Sequence, residues 1–290
     1  MRFRTRLLTS LSAAALLTGA PAMASAERAQ VVDDDGDSFQ LAAADGVSAA
    51  YAGEGEGEGG GEGEGGEGGI DPAAAAENPA VYLIALDVIR AHYLAGIAAL
   101  DEGDRMAAAE MFAHPISEVY VDLEPVLEAR GVQPFMQDMI TASELAQSEE
   151  TAAPVHDAVD EVLSEISAAE AKAPFAEGES TLGVQAAVMA DMMDRGAKQY
   201  QVALADSSAG EAWLDGYGYY ATAKSRGDEL LPALEAEGGP AADVADKLQA
   251  ALTMLEKAYP SATQPKAAPV PVQDVLTASS TASFAVAGLN

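Results

Sequence analysis

From residue 78 to about residue 258 the apolar positions recur at intervals of three and four and nowhere in sustained alternation, a pattern that predicts helices and no sheet. Asn78-Pro79 opens the first helix, with an Asn oxygen to cap it and Pro in the first turn. Val81, Ile84, Val88 and Leu94 then mark one face, and Gly103 ends it. A shorter helix follows from Asp104 and is expected to end before His114-Pro115. Pro115 would then open another, through Val119, Leu123 and Leu127, kinked at Pro125 and closed at Gly131. Further helices are predicted over 133–147, 154–172, 181–205, 209–237 and 240–258. The expected fold class is therefore all-α.

The second half of this pattern echoes the first. Asp122-Leu123-Glu124-Pro125-Val126-Leu127-Glu128-Ala129-Arg130-Gly131 aligns with Glu229-Leu230-Leu231-Pro232-Ala233-Leu234-Glu235-Ala236-Glu237-Gly238, keeping the internal Pro and the terminal Gly. Pro154 to Pro174 aligns with Pro240 to Pro260, with Asp157 and Asp160 answered by Asp243 and Asp246. More loosely, Asp87 matches Asp191 and Leu100 matches Leu204. The reading is two tandem, internally duplicated helical bundles, over residues 78–174 and 175–260.

The flanks read differently. Arg2, Arg4 and Arg6 precede an apolar run from Leu7 to Leu17, and Ala24-Ser25-Ala26 supplies the small residues of a cleavage site, so residues 1–26 are expected to be a secretory signal peptide. That run is too short to span a bilayer, and no later segment is expected to do so, which makes the exported chain periplasmic or secreted without an integral membrane segment. Residues 27–77 form an acidic leader that includes the tract from Gly53 to Gly69, made of Gly and Glu alone. Mutually repelling carboxylates on a flexible backbone predict disorder. Residues 261–290, rich in Ala, Pro, Ser and Thr, are expected to be a disordered tail.

Charge and composition exclude more than they assign. The chain of 290 residues carries 47 Asp+Glu against 15 Lys+Arg, a formal net charge of -32, the opposite of the basic surface that nucleic acid requires. It has no Cys, which removes thiol catalysis, thiolate metal sites and disulfides. There is no G-x-S-x-G, no phosphate-cradling Gly loop ahead of a Lys and no H-E-x-x-H, so a binding protein rather than an enzyme is expected.

The scarce residues carry the functional argument. The only three His are His92, His114 and His156, all in the first of the two repeats, and their counterparts in the second are Gly196, Ala221 and Ala242. Imidazole is a common neutral metal ligand, and bundle helices can aim side chains from separate elements at one point. Glu118 lies four residues after His114, on the same face if the helix already includes His114. The candidate site is thus His92, His114 and Glu118, with His156 as a fourth ligand, suited to iron, copper or zinc. The alternative is a cell-envelope interaction or scaffold protein whose His are structural. Two weaker candidates are the Met residues at 136, 139, 189, 192 and 193, as copper ligands or core filler, and Trp213-Leu214-Asp215-Gly216-Tyr217-Gly218-Tyr219-Tyr220, as a ligand cleft or helix packing.

With its His and carboxylates in one of two helical repeats, the chain resembles the imelysin-like periplasmic proteins over roughly residues 78–258, a resemblance that implies iron handling. The motif of that family is G-x-H-x-x-E. The nearest element here, His114-Pro115-Ile116-Ser117-Glu118, is one residue longer, and His92 is followed at the third position by Ala95. The stretch containing Tyr82-Leu83, Ala91-His92-Tyr93-Leu94 and His114-Pro115 also looks like an uncharacterised family of exported helical proteins with Gly/Glu-rich leaders.

Overall fold

The computed structural model describes residues 70–148, 151–206 and 210–289. The expected signal peptide and the Gly/Glu tract lie outside the described residues. Within these, ten α-helices and one π-helical turn account for the regular structure, and there is no strand. In chain order they are α1 (Pro72–Glu77), α2 (Pro79–Asp101), α3 (Arg105–Pro115), the π turn (Ile116–Tyr120), α4 (Val121–Ala129), α5 (Met136–Gln147), α6 (Ala152–Glu170), α7 (Thr181–Ala205), α8 (Gly210–Glu237), α9 (Pro240–Ala258) and α10 (Val272–Ala287).

Helix α2 is the centre of the assembly. Its cap is the predicted one, with Asn78 Oδ1 accepting from the N–H groups of Ala80 at 2.9 Å and Val81 at 3.3 Å. Of its 23 residues 17 are buried, which a one-faced surface helix cannot achieve, because α1, α3, α6, α7 and α8 all pack around it. By length and composition α2 could cross a membrane, which the sequence reading had not expected of any segment after residue 26. Here 78% of its most apolar window is enclosed by neighbouring helices, so its apolarity is that of a core helix.

Helices α2 and α8 cross closely because the contact residues are small. A Cβ on Gly218 would lie 2.2 Å from the carbonyl oxygen of Ala91 and 3.1 Å from the Cβ of Ala95. On the other side of α8, Gly216 leaves room for the Tyr259 hydroxyl, which donates to the carbonyl of Gly196 at 2.7 Å. Trp213 joins Tyr200 and Tyr259 in one aromatic cluster and donates its Nε1–H to Ser261 at 3.1 Å. The Trp213–Tyr220 stretch is therefore chiefly packing, although Asp215 within it has another role. Met139, Met189, Met192 and Met193 are fully buried among apolar neighbours and act as core filler. One hydrophobic core runs through residues of both 78–174 and 175–260.

Three local expectations change. The chain does not break at His114-Pro115: α3 runs through Pro115 and continues as a π turn, closed by the Val121 N–H bonded to the Ile116 carbonyl. Pro115 has no N–H to give to the preceding turn, and widening the helix by one residue accommodates the loss. Residues 72–77, assigned to the disordered leader, form α1, capped by Asp71. Residues 272–287, assigned to the disordered tail, form α10, lying on α7 and α9 with Val275, Ser279, Ala282 and Val286 buried. The segment leading to α10 is tied down as well, since Glu102 accepts from the backbone of Ala262 and Thr263, and Tyr200 donates to the Val270 carbonyl at 2.8 Å. Its Pro and Ala content conceals a stripe at helical spacing.

Candidate metal centre

His92 projects from the middle of α2 with its side chain 3% exposed. Its Nδ1 lies 2.8 Å from the carbonyl oxygen of Val88 one turn earlier. A carbonyl only accepts, so Nδ1 carries the hydrogen and Nε2 presents a lone pair. That nitrogen faces Glu118 Oε2 and Asp215 Oδ1, each at 3.8 Å. Glu118 comes from the π turn and Asp215 from α8, so three elements converge there. The π turn follows His114, and its altered winding determines where Glu118 points.

Burial lowers the His92 pKa to about 4; the hydrogen bond to Val88 opposes this and the neighbouring His114 adds to it. Burial also raises the Glu118 carboxyl, with His114 working against the shift and Glu211 adding to it. Burial thus keeps the imidazole from taking up a proton, and its lone pair stands beside two carboxylates, an electron-rich arrangement open to a cation. Fixing one ring nitrogen through a backbone carbonyl is also how proteins orient a metal-binding imidazole.

His114 sits at the rim. Its ring lies edge-on to His92 with centroids 6.4 Å apart, and its Nδ1 meets Glu211 Oε1, in the first turn of α8, at 2.9 Å. Glu211 is 60% exposed, so this pair contributes little to stability. His156 is not part of the cluster. Its Nε2 meets Asp101 Oδ1 at 2.9 Å, and Asp101 lies nine residues beyond His92 on α2, about 13 Å along the helix axis. The structure thus brings together His92, His114 and Glu118, leaves His156 apart, and adds Asp215 and Glu211 from the half of the chain that has no His. A signal for Asp215 existed: it is a lone carboxylate in a stretch otherwise made of Gly, aromatic and aliphatic residues.

Ligands of one tetrahedral metal at about 2.1 Å lie about 3.4 Å from one another, a few tenths of an ångström less than the two 3.8 Å separations around His92. Among the described residues, no three His, Asp or Glu side chains are already gathered as a metal-holding group, so binding an ion requires the longer Glu118 side chain to close in. Comparison with family models, with curated proteins and with solved structures finds no match for this chain.

The tautomer and protonation of His92 are directly measurable. The imidazole nitrogen resonances should report a neutral Nδ1–H ring that takes up a proton only as pH falls to about 4, against 6.5 for an ordinary imidazole. Between these values the unfolded chain binds more protons at this residue than the folded one. The contribution of His92 therefore lowers stability as pH falls through that window, and replacing it with Gln should flatten this part of the pH profile. Titration of His92 near 6.5 would refute the buried, pre-oriented ring.

Proposed function

We propose that the protein is an exported helical-bundle protein, not an enzyme, that binds or buffers a transition metal, iron, copper or zinc, through His and carboxylate side chains. The supporting observation is His92 Nε2, neutral and fixed by the Val88 carbonyl, facing Glu118 and Asp215 at equal distances. His92, Glu118 and Asp215 would hold the ion, with His114 as the adjacent fourth donor. One or two nitrogens with carboxylate oxygens and no sulfur suit borderline metals. The acidic chain, at a net -32, would raise the local concentration of any cation near it.

The repeated sequence pattern supports an origin by duplication. Pro125 and Pro232 both lie inside helices, and Gly131 and Gly238, at matched positions after them, adopt nearly the same left-handed conformation, with φ of 75° and 76°. In this reading the first copy acquired the His and the second supplies Asp215.

A second reading, an envelope interaction protein with structural His, draws support from the surface pairs His156–Asp101 and His114–Glu211. Metal content and calorimetry on the exported form, purified without an affinity tag, separate the two. The metal reading expects one ion per chain. It also expects a loss of affinity of about tenfold or more, roughly 1.4 kcal/mol, in both His92→Ala and Asp215→Asn, with His156→Ala unchanged. Absence of binding by the wild type, or equal binding by His92→Ala, would establish the structural reading.

A further inference from the structure

On the same two helices, away from His92, lies a second cluster whose chemistry is different. Arg226 of α8 bonds both carboxylate oxygens of Asp87 on α2, Nη2 to Oδ1 at 2.8 Å, and also meets Gln185 of α7 and Glu170 at the end of α6, the last at 2.5 Å. Its guanidinium is fully engaged. Arg90, one turn beyond Asp87, is not. It lies 2.9 Å from Glu170 Oε2 and 3.4 Å from Asp87 Oδ1, yet its buried Nε and Nη2 have no acceptor aligned for a hydrogen bond. Both atoms are closed off from solvent, so the nitrogen that Arg90 leaves to the outside is Nη1, and the side chain as a whole is 14% exposed.

Arg90 borders a cleft of about 500 Å³, within the size range of small-molecule sites. Arg90 and Glu170 line the cleft, Leu182 and Leu230 supply aliphatic surface, and Glu229 lines it one turn after Arg226 with no ion pair among the described residues. The cleft therefore offers one free edge of the Arg90 guanidinium, an uncommitted carboxylate and an apolar patch. A simple anion would have to enter against the net charge of -32, and a simple cation would leave Arg90 as it is. A solute carrying a carboxylate and an ammonium on an aliphatic skeleton satisfies both groups and adds no net charge.

We propose that this cleft binds a zwitterionic, amino-acid-type solute, its carboxylate on Arg90, its ammonium on Glu229 and its aliphatic part against Leu182 and Leu230. The site does not depend on the metal centre, so the test uses the full exported chain with a chelator present. Calorimetry with L-leucine and ε-aminocaproate, in which the two charges are differently spaced, is compared with leucinamide, which lacks the carboxylate, and N-acetylleucine, which lacks the ammonium. At least one zwitterion is expected to bind, each blocked analogue about tenfold or more weaker. Glu229→Gln, at an exposed position, should weaken zwitterion binding about fivefold or more with the unliganded Tm unchanged. The proposal is overturned if neither zwitterion binds at about 10 mM, if the blocked analogues bind equally well, or if Glu229→Gln binds like wild type.

Discussion

Arg226→Met is expected to cost about 3–5 kcal/mol of unfolding free energy, the range for removing one partner of a buried ion pair. Arg226 links α8 to α2, α6 and α7 through polar bonds, and its partner Asp87 is completely buried. Burial already pushes the Asp87 carboxyl up, while Arg226 and then Arg90 pull it down. Without Arg226 only the longer contact to Arg90 remains. In the variant the folded state then binds a proton at Asp87 more tightly than the unfolded chain does. Acidification into the range where this carboxyl is protonated should therefore recover part of the lost stability, opposite in sign to ordinary acid denaturation. Urea unfolding at neutral and mildly acidic pH checks both parts, and Asp87→Asn/Arg226→Met should cost less than the sum of the single changes. A loss below about 1 kcal/mol for Arg226→Met would place the cluster among ordinary surface pairs.

Gly218→Ala should be the most damaging small change at the α2–α8 crossing. Alanine favours a helix over glycine by about 1 kcal/mol, so an open site would be stabilised. Here the new Cβ meets the backbone of Ala91, at 2.2 Å from its oxygen and 2.8 Å from its carbon, and neither can rotate away. The two helices must separate, at a net cost of about 1–3 kcal/mol. Ala91 precedes His92, and Asp215 lies one turn before Gly218 on α8, so the same displacement would widen the gap between His92 and Asp215 and weaken metal binding. Gly196→Ala is the contrasting case. Its Cβ would find its nearest neighbours at 3.5 to 3.7 Å, ordinary contact distances, and the variant should be as stable as wild type or slightly more. Urea midpoints of the two variants decide the matter, and equal midpoints would mean that the α2–α8 spacing is not set by Gly218.

The helices themselves were largely legible. The stops at Gly103 and Gly131 and the openings at Asn78-Pro79 and Pro240 lie where the sequence pattern placed them, because caps and breakers act over a few residues and carry their physics locally. The site was legible in part. His92 follows Val88 at helical spacing and is buried with it, and Glu118, four residues after His114, lies near enough to feel its charge, although His114 itself pairs with Glu211. The exclusion of His156 was not legible, because position along α2 decides it and spacing within α6 cannot.

What the sequence determined by itself was the all-helical character of the described chain, most helix ends, the want of thiol chemistry and the acidic balance, all properties of residue type and short-range order. The tertiary structure alone decided that Asp215 and Glu211 face the His of the other half, that Arg90 borders a cleft, and that α10 closes over α7 and α9. Each depends on which faces of distant helices meet. That is settled by how closely two backbones can approach, here at Gly218 against Ala91, and such an approach has no signature in the spacing of residues along either helix alone.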